Sequence, residues 1–143
     1  MRFHLIDKLL SYNEWESATS IKNLTLGTPE FINCNHYMDD SLLMECIFQC
    51  AAWLIVISSK QKYRPTIVTA EKFKIYKHIK VGKQITIHAS IKERFDDYVT
   101  ICGEILCEEQ QCASLENAIL KLVDTEQLED KKLTEKYIKY LTS

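Results

Sequence analysis

The feature that most constrains this chain is a long apolar stretch between residues 40 and 59. From residue 42 to residue 57 only Glu45 and Gln49 are polar, and neither glycine nor proline interrupts the run. Because strands usually end after about four to eight residues, a run of this length predicts a helix. A helix that is apolar on all sides must be enclosed by protein or by lipid.

A sheet explains the enclosure of this helix better than lipid does. A membrane-spanning helix needs about twenty apolar residues and tolerates a buried carboxylate badly. Glu45 and Gln49 are four residues apart and therefore share one helix face. Asp39, Asp40 or Ser41 can supply the N-cap. The polar pair either reaches the surface near the helix start, where a carboxylate suits the helix dipole, or has a function.

The composition excludes several classes of protein. The 143 residues fit one domain with a sizeable core, and a net charge of −2 argues against nucleic acid as the main partner. The N-terminus lacks the apolar core of a signal peptide, which predicts a cytoplasmic protein. The six cysteines form no Cys-x-x-Cys pair. They are interpreted as buried free thiols in a reducing compartment, and no metal or other cofactor is expected.

The rest of the chain predicts an antiparallel sheet. Apolar and polar residues alternate most clearly from Ile85 to Ile91. Strands are predicted at residues 16–26, 66–75, 85–91, 98–107 and 112–123, after an apolar lead-in at 3–10. Helix and strands together predict an α+β fold whose central helix lies in a curved sheet. This domain takes residues 1–124, and the tail 125–143 is predicted to form a short amphipathic helix.

Five segments now suggest a family. They are Phe-His-Leu-Ile-Asp-Lys-Leu-Leu (3–10), Ser-Ile-Lys-Asn-Leu-Thr (20–25), the approach to His36 (31–36), Glu45-x-x-x-Gln49, and the strand and turn at 73–83. In this order, and with fitting spacing around most of them, they resemble the hotdog-fold 3-hydroxyacyl-[acyl-carrier-protein] dehydratases of fatty-acid and polyketide chain building. The resemblance covers about residues 3–123 and implies a hotdog fold.

The resemblance also implies a reaction and its residues. His36 would remove the α-proton of a 3-hydroxyacyl thioester, and Glu45 would protonate the leaving hydroxyl if apolar surroundings raise its pKa. The two groups would come from different subunits of a dimer or larger oligomer, and a heterodimer stays open. Backbone N–H groups at Asp40 and Ser41 would hold the thioester carbonyl, with Gln49 in support. The substrate would arrive on an acyl carrier protein; neither nucleic acid nor membrane is expected as a partner.

The segment after His36 departs from the family. It reads Tyr-Met-Asp-Asp-Ser, several residues shorter than in the family and without its prolines and glycines. Asn35 stands where the family usually has glycine. Asp40 brings a side chain, and a negative charge if ionised, to the position where glycine would let the thioester approach. The alternative interpretation of His36 is a loop histidine with no catalytic role.

A basic segment is the predicted dock for an acidic carrier protein. Between residues 63 and 83 Glu71 is the only acid. The docking candidates are Arg64, Lys72, Lys74, Lys77 and Lys80, with Lys83 beside them. Lysines that protect a strand edge from aggregation explain the same pattern equally well.

Two other classes of function stay open. The chain could be a non-catalytic hotdog subunit that binds an acyl chain or completes a heterodimer, which the missing prolines and glycines favour. It could also be an acyl thioesterase in which Asp39, Asp40 or Glu45 activates water.

Overall fold

The computed structural model describes residues 5–25, 36–124 and 131–143. Its elements in chain order are β1 (Lys8–Asn13), β2 (Ser17–Asn23), α1 (Asp40–Ser58), β3 (Tyr63–Ile75), β4 (Gln84–Phe95), β5 (Tyr98–Cys107), β6 (Gln110–Asp124) and α2 (Lys131–Thr142). The strands form one antiparallel sheet in the order β1-β2-β4-β5-β6-β3. The sheet curves around α1, so the predicted fold class is confirmed.

Helix α1 is the predicted apolar helix, and it forms the centre of the core. Asp39 is its N-cap and accepts a hydrogen bond from the backbone N–H of Ser41. By length and composition alone α1 could cross a membrane, but 72% of its most apolar window is buried in this structure. The sheet therefore provides the enclosure that its apolar faces require.

The strands follow the predicted alternation where one sheet face packs on α1. Ile85, Ile87 and Ala89 of β4 are fully buried, while the residues between them reach the other face. Strand β3 begins three residues before its predicted start. Strand β1 was not predicted: it is an edge strand in which only Leu9 is buried, so its sequence carries no alternation.

The tail forms the predicted helix, which docks on the domain. Leu141 of α2 is fully buried, and the Tyr137 ring lies 5.0 Å from the ring of Trp53, between centroids. Residues 125–130 of the predicted tail lie outside the described residues. Helix α2 therefore packs against the C-terminal half of α1 as well as against β1.

Gly103 allows β5 to approach α1 closely. A methyl group at this position would lie 2.5 Å from Cγ2 of Ile47 and 2.6 Å from the carbonyl oxygen of His88. Both neighbours belong to the packed core or to the backbone, so neither can move freely.

We therefore predict that Gly103→Ala lowers the free energy of unfolding by about 1–3 kcal/mol, the usual cost of overpacking a core. Urea unfolding monitored by circular dichroism measures the loss. Cys102→Ala, on the opposite face of the same strand, is the control and should change stability much less. Equal stability of the Gly103 variant and the wild type would contradict this account of the packing.

Candidate active site

The predicted acid lies in a cavity at the edge of the sheet. This Glu45 cavity has a volume of about 300 Å³. Its walls are one face of α1, the start of β3 and one residue of β6: Glu45, Phe48, Gln49, Ala52, Arg64, Pro65, Thr66, Ile67 and Leu120. Its α1 residues recur at helical spacing, and most of the lining is apolar. The cavity thus combines one carboxyl group with room for a small apolar chain.

The environment of Glu45 favours its neutral form. Burial raises the pKa of the Glu45 carboxyl above its ordinary value of 4.5, and a hydrogen bond from Gln49 acts in the opposite direction. Nε2 of Gln49 lies 3.5 Å from Oε1 of Glu45. A carboxyl that keeps its proton near neutral pH can act as a general acid. The pKa of Glu45 is therefore shifted in the direction that the sequence analysis required of an acid.

Gln49 is held from its other side by the backbone. The N–H of Leu5 donates to Oε1 of Gln49 at 2.8 Å, in a buried position. Because a backbone N–H can only donate, this oxygen must be the acceptor, and the NH₂ group of Gln49 faces Glu45. The amide orientation is thus fixed by hydrogen bonding.

His36 lies on the surface of the chain, apart from the Glu45 cavity. Its backbone is left-handed, with φ of 65°, a region that histidine enters more readily than most residues. Its carbonyl oxygen accepts a hydrogen bond of 2.9 Å from the N–H of Val81. Among the described residues, no ion pair involves the His36 ring. The pairing of His36 with Glu45 across a subunit interface stays a prediction.

The start of α1 is occupied by its own side chains. The Asp39 carboxylate accepts from the N–H and the hydroxyl of Ser41, at 2.9 and 2.6 Å. Both hydrogen bonds lower the pKa of the Asp39 carboxyl, and the bond from the Ser41 hydroxyl has the larger effect. Oδ1 of Asp40 lies 3.2 Å from Nδ1 of His78, and both side chains are exposed. The Ser41 N–H is therefore taken by the cap, and the Asp40 carboxylate lies against His78.

The predicted docking residues do not form one group. Lys77 and Lys80 line a second cavity of about 260 Å³, where Lys83 also lies and pairs with Glu108. Lys72 pairs with Glu116 at 3.5 Å, and the Lys74 side chain is exposed. Arg64 is in the Glu45 cavity instead, with its guanidinium carbon 5.4 Å from the ring centroid of Trp53. Docking stays a prediction for the lysines, and Arg64 is separated from them.

The cysteines in the described residues are free thiols. Burial raises the pKa of Cys46, and it raises that of Cys50 to about 11, so neither forms a thiolate at neutral pH. Cys112 is also buried, while Cys102 and Cys107 are half-buried; Cys34 lies outside the described residues. Within the described part of the chain no cluster of three His, Cys, Asp or Glu residues could hold a metal ion.

Two components of this site were not found in the sequence. The Leu5 N–H contributes through the backbone, which no side-chain pattern reveals. Arg64 was grouped with the lysines by charge, although it follows α1 closely in the chain. Its place directly before Pro65, at the return of the chain to the sheet, was the available signal.

Comparisons with known proteins agree with the resemblance. The 3-hydroxyacyl-[acyl-carrier-protein] dehydratase FabZ of Rickettsia rickettsii (strain Sheila Smith) is 29% identical over 126 residues, which cover 80% of this chain and 87% of that protein. No family model matches the chain.

Solved structures share the fold at low sequence identity. The smu.793 protein of Streptococcus mutans UA159, bound to acetyl CoA, has a TM-score of 0.71 at 10% identity over 87% of this chain and 94% of its own. A hypothetical thioesterase of Streptococcus pneumoniae TIGR4, with coenzyme A, has a TM-score of 0.68 at 11% identity over 82% and 88%. The predicted resemblance is confirmed as a similarity: the chain has the hotdog fold and is similar in sequence to FabZ dehydratases.

The raised pKa of Glu45 predicts a pH-dependent stability. Its contribution is fully present below the ordinary value of 4.5 and is lost as the pH rises through the raised pKa, because the folded state then holds a poorly solvated carboxylate. We expect the wild type to lose stability relative to Glu45→Gln over this range, in urea titrations between about pH 4 and pH 8. The exposed Glu93, changed to Gln, is the matched control. A constant difference between wild type and Glu45→Gln would contradict the raised pKa.

Proposed function

We propose that this protein is a dehydratase that removes water from a 3-hydroxyacyl thioester carried by an acyl carrier protein, in fatty-acid or polyketide chain building. The observation that carries the proposal is a half-buried Glu45 in a mostly apolar cavity, with burial raising its pKa. The likeness to FabZ over 80% of the chain supports the choice of reaction.

The proposed reaction needs one base and one acid. His36 takes the α-proton, the electron pair forms the carbon–carbon double bond, and the bond from the β-carbon to its hydroxyl breaks. Glu45 gives its proton to the departing hydroxyl, which leaves as water. His36 then loses its proton to solvent and Glu45 regains one, which restores the starting state of the enzyme. Charge on the thioester oxygen would be met by backbone N–H groups at the start of α1. Of these, the N–H of Asp40 is the candidate, because Ser41 donates to the Asp39 cap.

The thioesterase alternative has weaker support in the geometry. It needs a carboxylate that activates water, and the sequence offered Asp39, Asp40 and Glu45. Asp39 caps α1 and Asp40 lies against His78 on the surface. Glu45 faces the cavity, and the likeness to FabZ supports its use as a proton donor rather than as a base.

A second copy of the chain would complete the site. Strand β3 is at the edge of the sheet, paired with β6 on one side. Its Ile67 and Val68 are each 51% exposed, and Ile67 also lines the Glu45 cavity. An exposed apolar edge of this kind is suited to pairing with another chain. We propose that a partner covers this edge, closes the cavity and brings its His36 to Glu45.

The carrier protein would approach through the lysines. Lys77 and Lys80 lie near the start of α1, because His78 between them contacts Asp40. An acidic carrier that docked there would deliver its thioester close to the helix start. The proposed dock therefore consists of these two lysines, with Lys74 on the adjoining strand.

We predict enoyl formation from 3-hydroxyacyl thioesters and its loss in Glu45→Gln. The amide is nearly isosteric but cannot donate a labile proton to the leaving hydroxyl. Enoyl absorbance and free-thiol release are followed in parallel, with the exposed Glu93→Gln as a control that keeps activity. Free thiol without enoyl would identify a thioesterase, and neither product would identify a binding subunit.

A mixing experiment tests the shared site. Glu45→Gln and His36→Ala are each expected to be inactive, since each lacks one proton-transfer group at every site. If the sites span two subunits, unfolding and refolding an equal mixture restores roughly a quarter of wild-type activity, because random pairing leaves one intact site in half of the dimers. Sedimentation should give at least a dimer at micromolar concentration. A monomeric mass, or no recovery on mixing, would exclude the shared site.

A further inference from the structure

Two motifs from the sequence have no part in the proposed chemistry, and the structure joins them. Asp7 comes from the apolar-Asp-basic segment at 3–10, and Lys22 from the segment at 20–25. Nζ of Lys22 lies 3.3 Å from Oδ1 of Asp7, and the Lys22 side chain is only 8% exposed. A buried ammonium group requires such a partner. The pair therefore fixes the segment before β1 against β2.

The backbone adds to this attachment. Oδ2 of Asp7 accepts a hydrogen bond of 2.6 Å from the N–H of Asn23. The N–H of Asp7 donates to the carbonyl oxygen of Ile21 at 2.9 Å. Asp7 is thus held through three of its atoms, and Leu5, two residues earlier and fully buried, follows it into the core.

Leu5 connects this attachment to the predicted acid. Its N–H donates to Oε1 of Gln49, and Nε2 of Gln49 in turn faces Oε1 of Glu45. The Gln49 side chain is 2% exposed, so solvent does not compete for its amide. A continuous series of contacts therefore runs from the Asp7–Lys22 pair through the Leu5 backbone and the Gln49 amide to Glu45.

We infer that Asp7 and Lys22 are positioning residues for Glu45, acting through the Leu5 N–H and the Gln49 amide. The pair holds the Leu5 N–H in place, and that N–H keeps the NH₂ of Gln49 turned towards Oε1 of Glu45. Oε1 then serves as an acceptor, which leaves Oε2 to carry the proton towards the cavity. The catalytic meaning of this arrangement rests on the proposed function, whereas the positioning itself does not.

The direction of the effect follows from the charges around Glu45. The Gln49 hydrogen bond lowers the pKa of Glu45 against the larger effect of burial. Arg64 of β3 lines the same cavity. The Cys46 thiol interacts electrostatically with both Lys22 and Glu45, but it remains neutral because burial raises its pKa. Releasing Gln49 should therefore move the titration of Glu45 to higher pH.

The test measures this titration without using activity. The protein is labelled with ¹³C at the glutamate side-chain carboxyl carbons, and Glu45→Gln assigns the signal of Glu45. We expect Asp7→Asn to shift the titration of Glu45 to higher pH, as Gln49→Met does directly. Glu116→Gln, which breaks the exposed pair with Lys72, is the matched control and should leave it unchanged.

A second variant keeps the test informative if Asp7→Asn does not fold. Asp7→Asn leaves a buried ammonium without its carboxylate, so the double variant Asp7→Asn/Lys22→Met removes both charges and should produce the same shift. An unchanged Glu45 titration in folded Asp7→Asn or in the double variant overturns the inference, as does an unchanged titration in Gln49→Met. Shifted titrations in a protein that forms no enoyl product would support the positioning role and overturn the dehydratase proposal alone.

Discussion

The structure depends on enclosing a helix that is apolar on nearly every side. Helix α1 cannot expose such a surface to water, so the sheet curves around it and presents alternate residues of its strands, such as Ile85 and Ile87, to the helix. Gly103 lets the sheet come close, because any side chain there would meet Ile47 and the backbone of β4. The site at Glu45 is a consequence of this enclosure, since the carboxyl lies where the helix meets the edge strand β3.

Polar groups inside this enclosure are tolerated only where hydrogen bonds satisfy them. Gln49 is almost fully buried, and both ends of its amide have partners, the Leu5 N–H and the Glu45 carboxyl. Such an amide is constrained on both sides and therefore makes a rigid support for the Glu45 carboxyl. Burial and the Gln49 hydrogen bond act on the pKa of Glu45 in opposite directions, and burial has the larger effect. A carboxyl group with a raised pKa is the property that the proposed dehydratase would use in its acid.

The start of α1 is capped by its own side chains and lacks the glycines and prolines of the family that the sequence resembles. Asp39 takes up the N–H and hydroxyl of Ser41, which gives the helix a strong cap. The carboxylate of Asp40 lies against His78 on the exposed surface. The Asp40 carboxylate, which the resemblance would place near a developing oxyanion, thus has the His78 ring as its neighbour. The capping bond also occupies one N–H group that the proposed reaction would otherwise use. The helix start is thus a part of the chain where the sequence departs from the family that it resembles.

The sequence alone determined the central helix, its N-cap candidates, the strands with alternating apolar residues and the shared face of Glu45 and Gln49. These features depend on local periodicity, which neighbouring residues carry. Strand β1 was not predicted because it is held by pairing with β2 at the sheet edge and has no buried face that would produce an apolar alternation. Only the tertiary structure separated Arg64 from the lysines and brought the Leu5 N–H to Gln49, 44 residues away in the chain. A backbone donor cannot be recognised from the pattern of side chains, so such a contact is found only when the packing of the chain is known.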